Sequence, residues 1–510
     1  MAIDEHPAAG LPAGLDQRGE NLALVALTLP VLLISMDATI LGFAVPRLSE
    51  DLQPSSAELL WIIDVYSFVL SGLLITMGNV GDRIGRRRLL LIGSAGFAVA
   101  SVAAAFAPTA TTLIAARALL GLAGATLMPS TLSLIRNIFV VDRRRQFAIA
   151  VWAMMFSVGA VLGPILGGVL LEHFWHGSVF LIGVPVTLAL LVVGPLVVPE
   201  SKDPTPEPFD LPSSALSMAG ILPLVFAMKQ VAEHGWSPLV APSLAAGLVA
   251  GTAFVRRQRR LVSPMIDVDL FRVPRFRVAI TGNLLTCFGF SGVTFFVTQH
   301  LQLVLGLSPT RAALQLLPGA AIGVLTTLRA PAMTRRWGPF PVISSGLAVG
   351  AAGFVVLATV GVDSTLVPVT LALILVEGGL CAAITVAIDG IIASVPPAKA
   401  GAGASVSETG NELGVALGTA VLGSVLTAVY RRNLTGAPPE ARETLGAAHE
   451  AAVSIGGGAG EALRRVADLA FVDGMRAASV LAAALLVAAA LASARVARGD
   501  RADLSRRVAP

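Results

Sequence analysis

Long apolar runs, separated by short polar connections, occupy most of this chain and dictate what it can become. A helix that crosses a bilayer needs about 20 mostly apolar residues. Fourteen runs meet that need: 22–46, 59–80, 88–107, 112–136, 146–171, 177–198, 211–230, 238–255, 277–303, 311–334, 338–360, 365–392, 402–430 and 471–494. They are rich in Ala, Leu and Gly and lack period-two alternation, so strands are excluded. With 13% charged residues against roughly 25% in a soluble domain, the chain cannot cover 510 residues with a water-facing surface. A soluble enzyme, a nucleic-acid-binding protein and a disordered chain are thereby excluded. The expected class is an all-α membrane protein with fourteen transmembrane helices.

Charge placement tests the span count independently. Basic residues gather in cytoplasmic loops. With the N-terminus inside, the even-numbered connections carry Arg83, Arg86, Arg87 and Arg88, then Arg143, Arg144 and Arg145, then Arg256, Arg257, Arg259 and Arg260, and later Arg335 and Arg336. The odd connections 108–111, 172–176 and 361–364 hold no Lys or Arg. The long connection 431–470 departs from the rule, with Arg431, Arg432, Arg442, Arg464 and Arg465; long loops follow it poorly. Its Gly456-Gly457-Gly458 triplet lacks the Lys-Ser/Thr of a phosphate loop and reads as flexible linker. Both termini are expected in the cytoplasm, and the first helix is expected to act as its own insertion signal. Cys287 and Cys381 lie inside apolar runs as small packing residues. His173 and His176 are too sparse for a metal site.

One turn recurs. The connection after span 2 reads Gly78-x-x-x-Asp82-Arg83-x-Gly85-Arg86-Arg87, and that after span 10 reads Arg335-Arg336-Trp337-Gly338-Pro339. Gly85 and Gly338 take the same place at a helix end. The expected domains are a tail 1–20, a six-helix bundle 21–198, a linker with two extra helices 199–260, a second six-helix bundle 261–494 and a tail 495–510. Two related bundles are a common transporter plan.

Ionisable groups inside apolar spans are expensive and mark function. At 1.5 Å per residue, Asp37 lies roughly 13 Å below the outer end of span 1, and Asp64 and Arg117 lie roughly 8 Å below those of spans 2 and 4. Asp37 is expected to bind a proton or a cationic substrate, with Arg117 tuning it. The second bundle holds Glu377 and Asp389 on span 12 and Glu408 and Glu412 on span 13. The last two are four apart and share a helix face. Phe156 and Phe288 are candidate cation–π partners, with core packing as the alternative. Trp61, Trp152 and Trp175 near span ends are candidate interfacial anchors. Arg329 is expected to snorkel to the inner face.

The chain resembles the major facilitator superfamily. The residues that carry the likeness are Gly78-x-x-x-Asp82-Arg83-x-Gly85-Arg86-Arg87, Arg117-x-x-x-Gly121 and Gly159-x-x-x-Gly163-Pro164-x-x-Gly167-Gly168. Met36-Asp37-Ala38-Thr39, Leu60-Trp61-x-x-Asp64-x-Tyr66 and Leu301-Gln302-x-x-x-Gly306-x-Ser308-Pro309 look like its fourteen-span drug:proton antiporter family. The resemblance spans residues 21–494. It implies a proton-coupled multidrug exporter of lipophilic, mainly monovalent, quaternary-ammonium-like cations in the bacterial inner membrane. It implies no cofactor beyond the proton motive force, no metal, no enzyme activity and no nucleic-acid partner, and a monomer. Proton coupling would fall to Asp37, Arg117, Glu408 and Glu412. Substrate binding would fall to Asp37, Asp64 and Glu412, and, on their own depth and chemistry rather than on the resemblance, to Glu377, Phe156 and Phe288. Gly78, Asp82, Arg83, Gly85, Arg86, Gly159, Gly163, Pro164 and Gly167 would serve conformational change. Ser407, and Ile322-Gly323, stand where quaternary-ammonium exporters carry further acids, which favours monovalent cargo. The alternatives are an exporter of a neutral or anionic metabolite and a transporter-like membrane sensor.

Overall fold

The computed structural model describes residues 17–508 apart from 53, 55, 203–209, 235, 262–263, 308, 397–399 and 443. Among the described residues it is helical throughout, without strands. The order begins α1 (Gln17–Leu52), α2 (Ser56–Ile84), α3 (Arg86–Ala105), α4 (Ala110–Ile138), α5 (Asp142–His173), α6 (Ser178–Leu181) and α7 (Gly183–Val197). It continues with α8 (Leu211–His234), α9 (Val240–Gln258), α10 (Pro274–Gln299), α11 (Pro309–Trp337) and α12 (Pro339–Leu357). The last are α13 (Leu366–Ala393), α14 (Ala400–Asn433), α15 (Leu445–Ile455) and α16 (Gly457–Val508).

All fourteen predicted runs are helical. Among the described residues, 12 helices are long and apolar enough to cross a membrane. The two remaining runs form α2 and α9, of 29 and 19 residues. The sixth run is broken at Ile182 into α6 and α7. A π-helical turn, His300–Val304, follows α10.

The connection 431–470 departs from the flexible-linker expectation. Thr444 caps α15 by accepting a hydrogen bond from Ala447 N at 3.1 Å. The Tyr430 hydroxyl donates to Ala441 O at 2.9 Å, tying the connection back to α14. Gly456 and Gly457, with φ of 66° and 57°, turn the chain into α16. The triplet is a turn device, because glycine alone enters that region without steric cost.

The chain divides into two compact units. Unit 1 comprises Met1–Met218, Arg256–Asp267 and Ile392–Glu408. Unit 2 comprises Ala219–Val255, Val268–Ile391 and Thr409–Pro510. In unit 1, Leu27, Ile40, Phe97 and Trp152 are fully buried. Phe296, Phe354, Phe471 and Met475 are fully buried in unit 2.

In lipid, helices associate through close packing of small residues rather than through the hydrophobic effect. Each unit contains a glycine stripe at four-residue spacing. On α5, a methyl group added at Gly159 would lie 2.7 Å from Leu32 O, at Gly163 3.0 Å from Met36 O, and at Gly167 2.5 Å from Ile40 Cγ1. On α14, the same addition would lie 3.0 Å from Ile280 Cδ1 at Gly410, 2.8 Å from Cys287 Cβ at Gly414 and 3.0 Å from Phe288 Cα at Gly418. Thus α5 sits on α1 as the part of α14 from Thr409 onward sits on α10, each set of contacts within one unit. The repeated turn is also present: Gly85 and Gly338 both have positive φ, 112° and 88°, and each precedes a helix.

At the start of α8, Asp210 Oδ1 accepts from Arg257 Nη2 at 2.8 Å, joining α8 to the end of α9. Burial pushes the Asp210 carboxyl up, but hydrogen bonds from Arg257 and Ser213 outweigh it and hold it below the ordinary value.

Candidate proton site and the signature turn

Two buried constellations of charged residues lie in unit 1. The first lies on α1, α2 and α4. Arg117 Nη1 donates to Asp37 Oδ2 at 2.6 Å, and both side chains are almost wholly buried. Arg117 Nε donates to the carbonyl of Ile62 at 3.2 Å. The same guanidinium lies 4.7 Å from the centre of the Tyr66 ring. One planar cation therefore binds a carboxylate, a carbonyl and an aromatic face at once, which a lysine cannot do. Gly121 permits this: a methyl group there would lie 2.5 Å from Tyr66 O, so α2 and α4 come into backbone contact.

Asp37 also borders a small recess lined by Leu33, Ile40, Phe97, Val179 and Gly183. Removing two charges from water costs several kcal/mol per ion. Hydrophobic residues of similar volume would pack as well, so stability alone does not account for the pair.

The second constellation is the turn between α2 and α3. Asp82 Oδ1 accepts from Arg86 Nε at 2.7 Å and from Gly401 N at 3.1 Å. Gly401 lies in the first turn of α14, where helix N–H groups have no internal partner and favour an anion. Gly78 lets the helices meet there, since a methyl group would lie 2.6 Å from Gly401 O. Glu200 caps α3 from outside, accepting from Arg87 N at 3.0 Å and Arg88 N at 3.1 Å. Arg86 N donates to Ser201 O at 2.9 Å. Gly85 is required twice over: its φ is 112°, and a methyl group would lie 2.7 Å from the Glu200 carboxyl. Arg83 is exposed.

The structure thus joins Asp37 to Arg117 and Asp82 to Arg86, and stacks Gly159, Gly163 and Gly167 on α1. The side chains of Asp64 and Pro164 lie outside the described residues. Phe156 is half-buried, edge-on to Trp152 with ring centres 5.3 Å apart. Phe288 is 2% exposed in the apolar core of unit 2, a packing position in this conformation. Trp152 is no interfacial anchor: it is fully buried and donates to Thr131 Oγ1 at 3.1 Å. Trp61 and Trp175 are exposed, as is Arg329. Glu408 is buried, whereas Glu412 on the next turn of α14 is partly exposed.

Sequence reasoning missed Glu200, Ser201, Ile62 and the role of the Tyr66 ring. It also passed over His300, which is fully buried in the π-helical turn with neither ring nitrogen hydrogen-bonded.

Helices spanning a membrane, buried intramembrane charge pairs and a repeated signature turn define a polytopic transporter. Residues 27–419 match the Major Facilitator Superfamily, and the chain belongs to it. It is accordingly a transporter and not an enzyme. Over 469 residues it is 49% identical to the multidrug efflux pump LfrA of Mycolicibacterium smegmatis, covering 91% of this chain and 93% of that one. It is 35% identical to the methyl viologen resistance protein SmvA of Salmonella typhimurium, covering 81% and 84% respectively. It is 32% identical to a tetracenomycin C resistance and export protein of Streptomyces glaucescens, covering 82% and 77%. A crystal structure of the human organic anion transporter MFSD10 shares the fold, with a TM-score of 0.62 at 14% identity, over 94% of this chain and 100% of that one.

Proposed function

We propose that this chain exports lipophilic, mainly monovalent cations across the bacterial cell membrane, driven by the inward proton gradient, with both termini in the cytoplasm. The relatives named for multidrug efflux and drug resistance support the export of drug-like compounds. The observation that carries proton coupling is the Asp37–Arg117 pair, at 2.6 Å in an apolar setting.

A proton reaching Asp37 through the recess beside it removes the carboxylate charge and weakens the hold on Arg117. The guanidinium keeps its contacts to Ile62 O and Tyr66, so it remains placed to recapture Asp37 when the proton leaves. Protonation is favoured where pH is low, outside, and deprotonation inside. The Asp82–Arg86–Gly401 cluster would latch one conformation of the cycle. It breaks only by exposing a charge and a helix N-terminus together.

The test is tetraphenylphosphonium or ethidium transport in inside-out vesicles with an imposed pH gradient. Wild type is expected to transport the cation only with the gradient. Asp37→Asn is expected to reach the membrane and lose gradient-driven transport. Undiminished transport by Asp37→Asn would overturn the role of the pair. No cation transport by folded wild type would move the assignment to a neutral or anionic cargo.

A further inference from the structure

Unit 2 contains a carboxylate that the proton-coupling pair does not use. Glu377 lies on α13, eleven residues from its first residue, Leu366, which is about 16 Å along the helix axis. That depth is close to the middle of a bilayer core of about 30 Å. Its neighbours are set by two glycines one turn apart on α11. A methyl group at Gly319 would lie 3.2 Å from Glu377 Cγ, and one at Gly323 would lie 3.2 Å from Glu377 Oε2 and 3.0 Å from Cys381 Sγ. The acid therefore occupies a slot that α11 leaves open only because residues 319 and 323 have no side chain. Ile322 and Leu373 add apolar walls, with Ile322 lying against Gly378.

Charge compensation separates this acid from the two in unit 1. Asp37 has Arg117 at 2.6 Å, and Asp82 has Arg86 at 2.6 Å. Among the described residues Glu377 has no ion pair. Among the described residues, the hydrogen-bond donor it meets is the thiol of Cys381, at 3.7 Å, a weak and uncharged partner. Yet Glu377 is only half-buried, so the slot does not close over the carboxyl. An uncompensated carboxylate among apolar walls is costly to keep, and such residues in membrane spans mark ligand or ion sites. Its chemical complement is a single positive charge carried on an apolar body: the charge replaces the missing counter-ion and the body fits the walls.

We infer that Glu377, held in the Gly319–Gly323 slot, is the residue that receives the positive charge of a monovalent lipophilic cation. This rests on the cation-export reading and divides its labour: the pair in unit 1 handles the proton, and Glu377 recognises the cargo.

The test is tetraphenylphosphonium binding to the purified full-length protein in nanodiscs at one fixed pH, with thermal unfolding as the fold control. Glu377→Gln, which keeps the shape and removes the charge, is expected to weaken binding at least tenfold. Glu377→Asp keeps the charge and is expected to retain most of the affinity. Gly323→Ala keeps the acid but narrows its slot, and is expected to weaken binding severalfold. Asp363→Asn, an exposed loop acid in the same unit, should bind as wild type does. Equal binding by wild type and Glu377→Gln would overturn the assignment to Glu377 while leaving cation export intact. Equal losses in the Gln and Asp variants, both folded, would also overturn it, since charge would not be what matters. Absence of binding by wild type would overturn the cation-export reading, and this assignment with it.

Discussion

Arg117 shows how much a single intramembrane residue can be asked to hold. It binds Asp37, the Ile62 carbonyl and the Tyr66 ring together. Removing only the cation leaves Asp37 buried and unpaired, which costs about 3–5 kcal/mol. Arg117→Met should therefore lower the unfolding temperature in nanodiscs sharply. The double variant Asp37→Asn with Arg117→Met should recover much of the loss, because no buried charge remains. A double variant as unstable as Arg117→Met alone would contradict this account. The pair itself was legible in the sequence, because charged residues stand out in apolar runs and helical rise gave their depths. The Ile62 carbonyl and the Tyr66 face were not legible. They depend on the rotation of α2 about its axis, which periodicity cannot fix in a helix that is apolar on most sides. Glu200 was hidden for another reason: it caps α3 from a point more than a hundred residues away, and local capping signals do not look that far.

Elements in this protein meet where glycine allows it, and two stripes allow it in the same way. Gly163 and Gly414 each place a backbone carbonyl or Cβ of the facing helix where their own side chain would begin. Gly163→Ala and Gly414→Ala should each cost about 1–3 kcal/mol, the usual penalty of overpacking. Gly168 has open space around its missing side chain, so Gly168→Ala should be silent, which distinguishes close packing from glycine content. The α5 stripe was read as a motif from the sequence. Its counterpart on α14 was passed over because no single motif flags Gly410, Gly414 and Gly418; only the facing helix shows what the spacing is for. At the other end of the scale, the Asp210–Arg257 clamp is set by charge. Its carboxyl is held below the ordinary carboxylate value in the folded state, so its contribution is present above the unfolded value and lost as pH falls through the lower folded one. Arg257 is 38% exposed, and solvent screening limits the contribution to about 1 kcal/mol or less. Asp210→Asn should therefore cost little at pH 7 and flatten the acid-side loss of stability below about pH 4. An unchanged acid profile, measured by thermal unfolding, would show that the clamp carries no weight.

For the whole molecule, orientation decides which surfaces face the cytoplasm, and charge placement argues it. The connection between α4 and α5 is followed at once by Arg143, Arg144 and Arg145, a cluster of the kind that translocates poorly and is expected to hold a short loop inside. The connection between α15 and α16 belongs to the long segment that breaks the charge rule, yet it is ordered, with a capped helix and a two-glycine turn. With the N-terminus inside, the first connection faces the cytoplasm and the second faces out. Single cysteines can read this directly, because the native Cys287 and Cys381 are 6% and 4% exposed and give little background. Val140 and Ile455 are 70% and 48% exposed and suit as reporters. A membrane-impermeant maleimide is expected to label Ile455→Cys in intact cells, and Val140→Cys only after permeabilisation. The reverse pattern would place the arginine cluster outside and overturn the assignment of both termini to the cytoplasm.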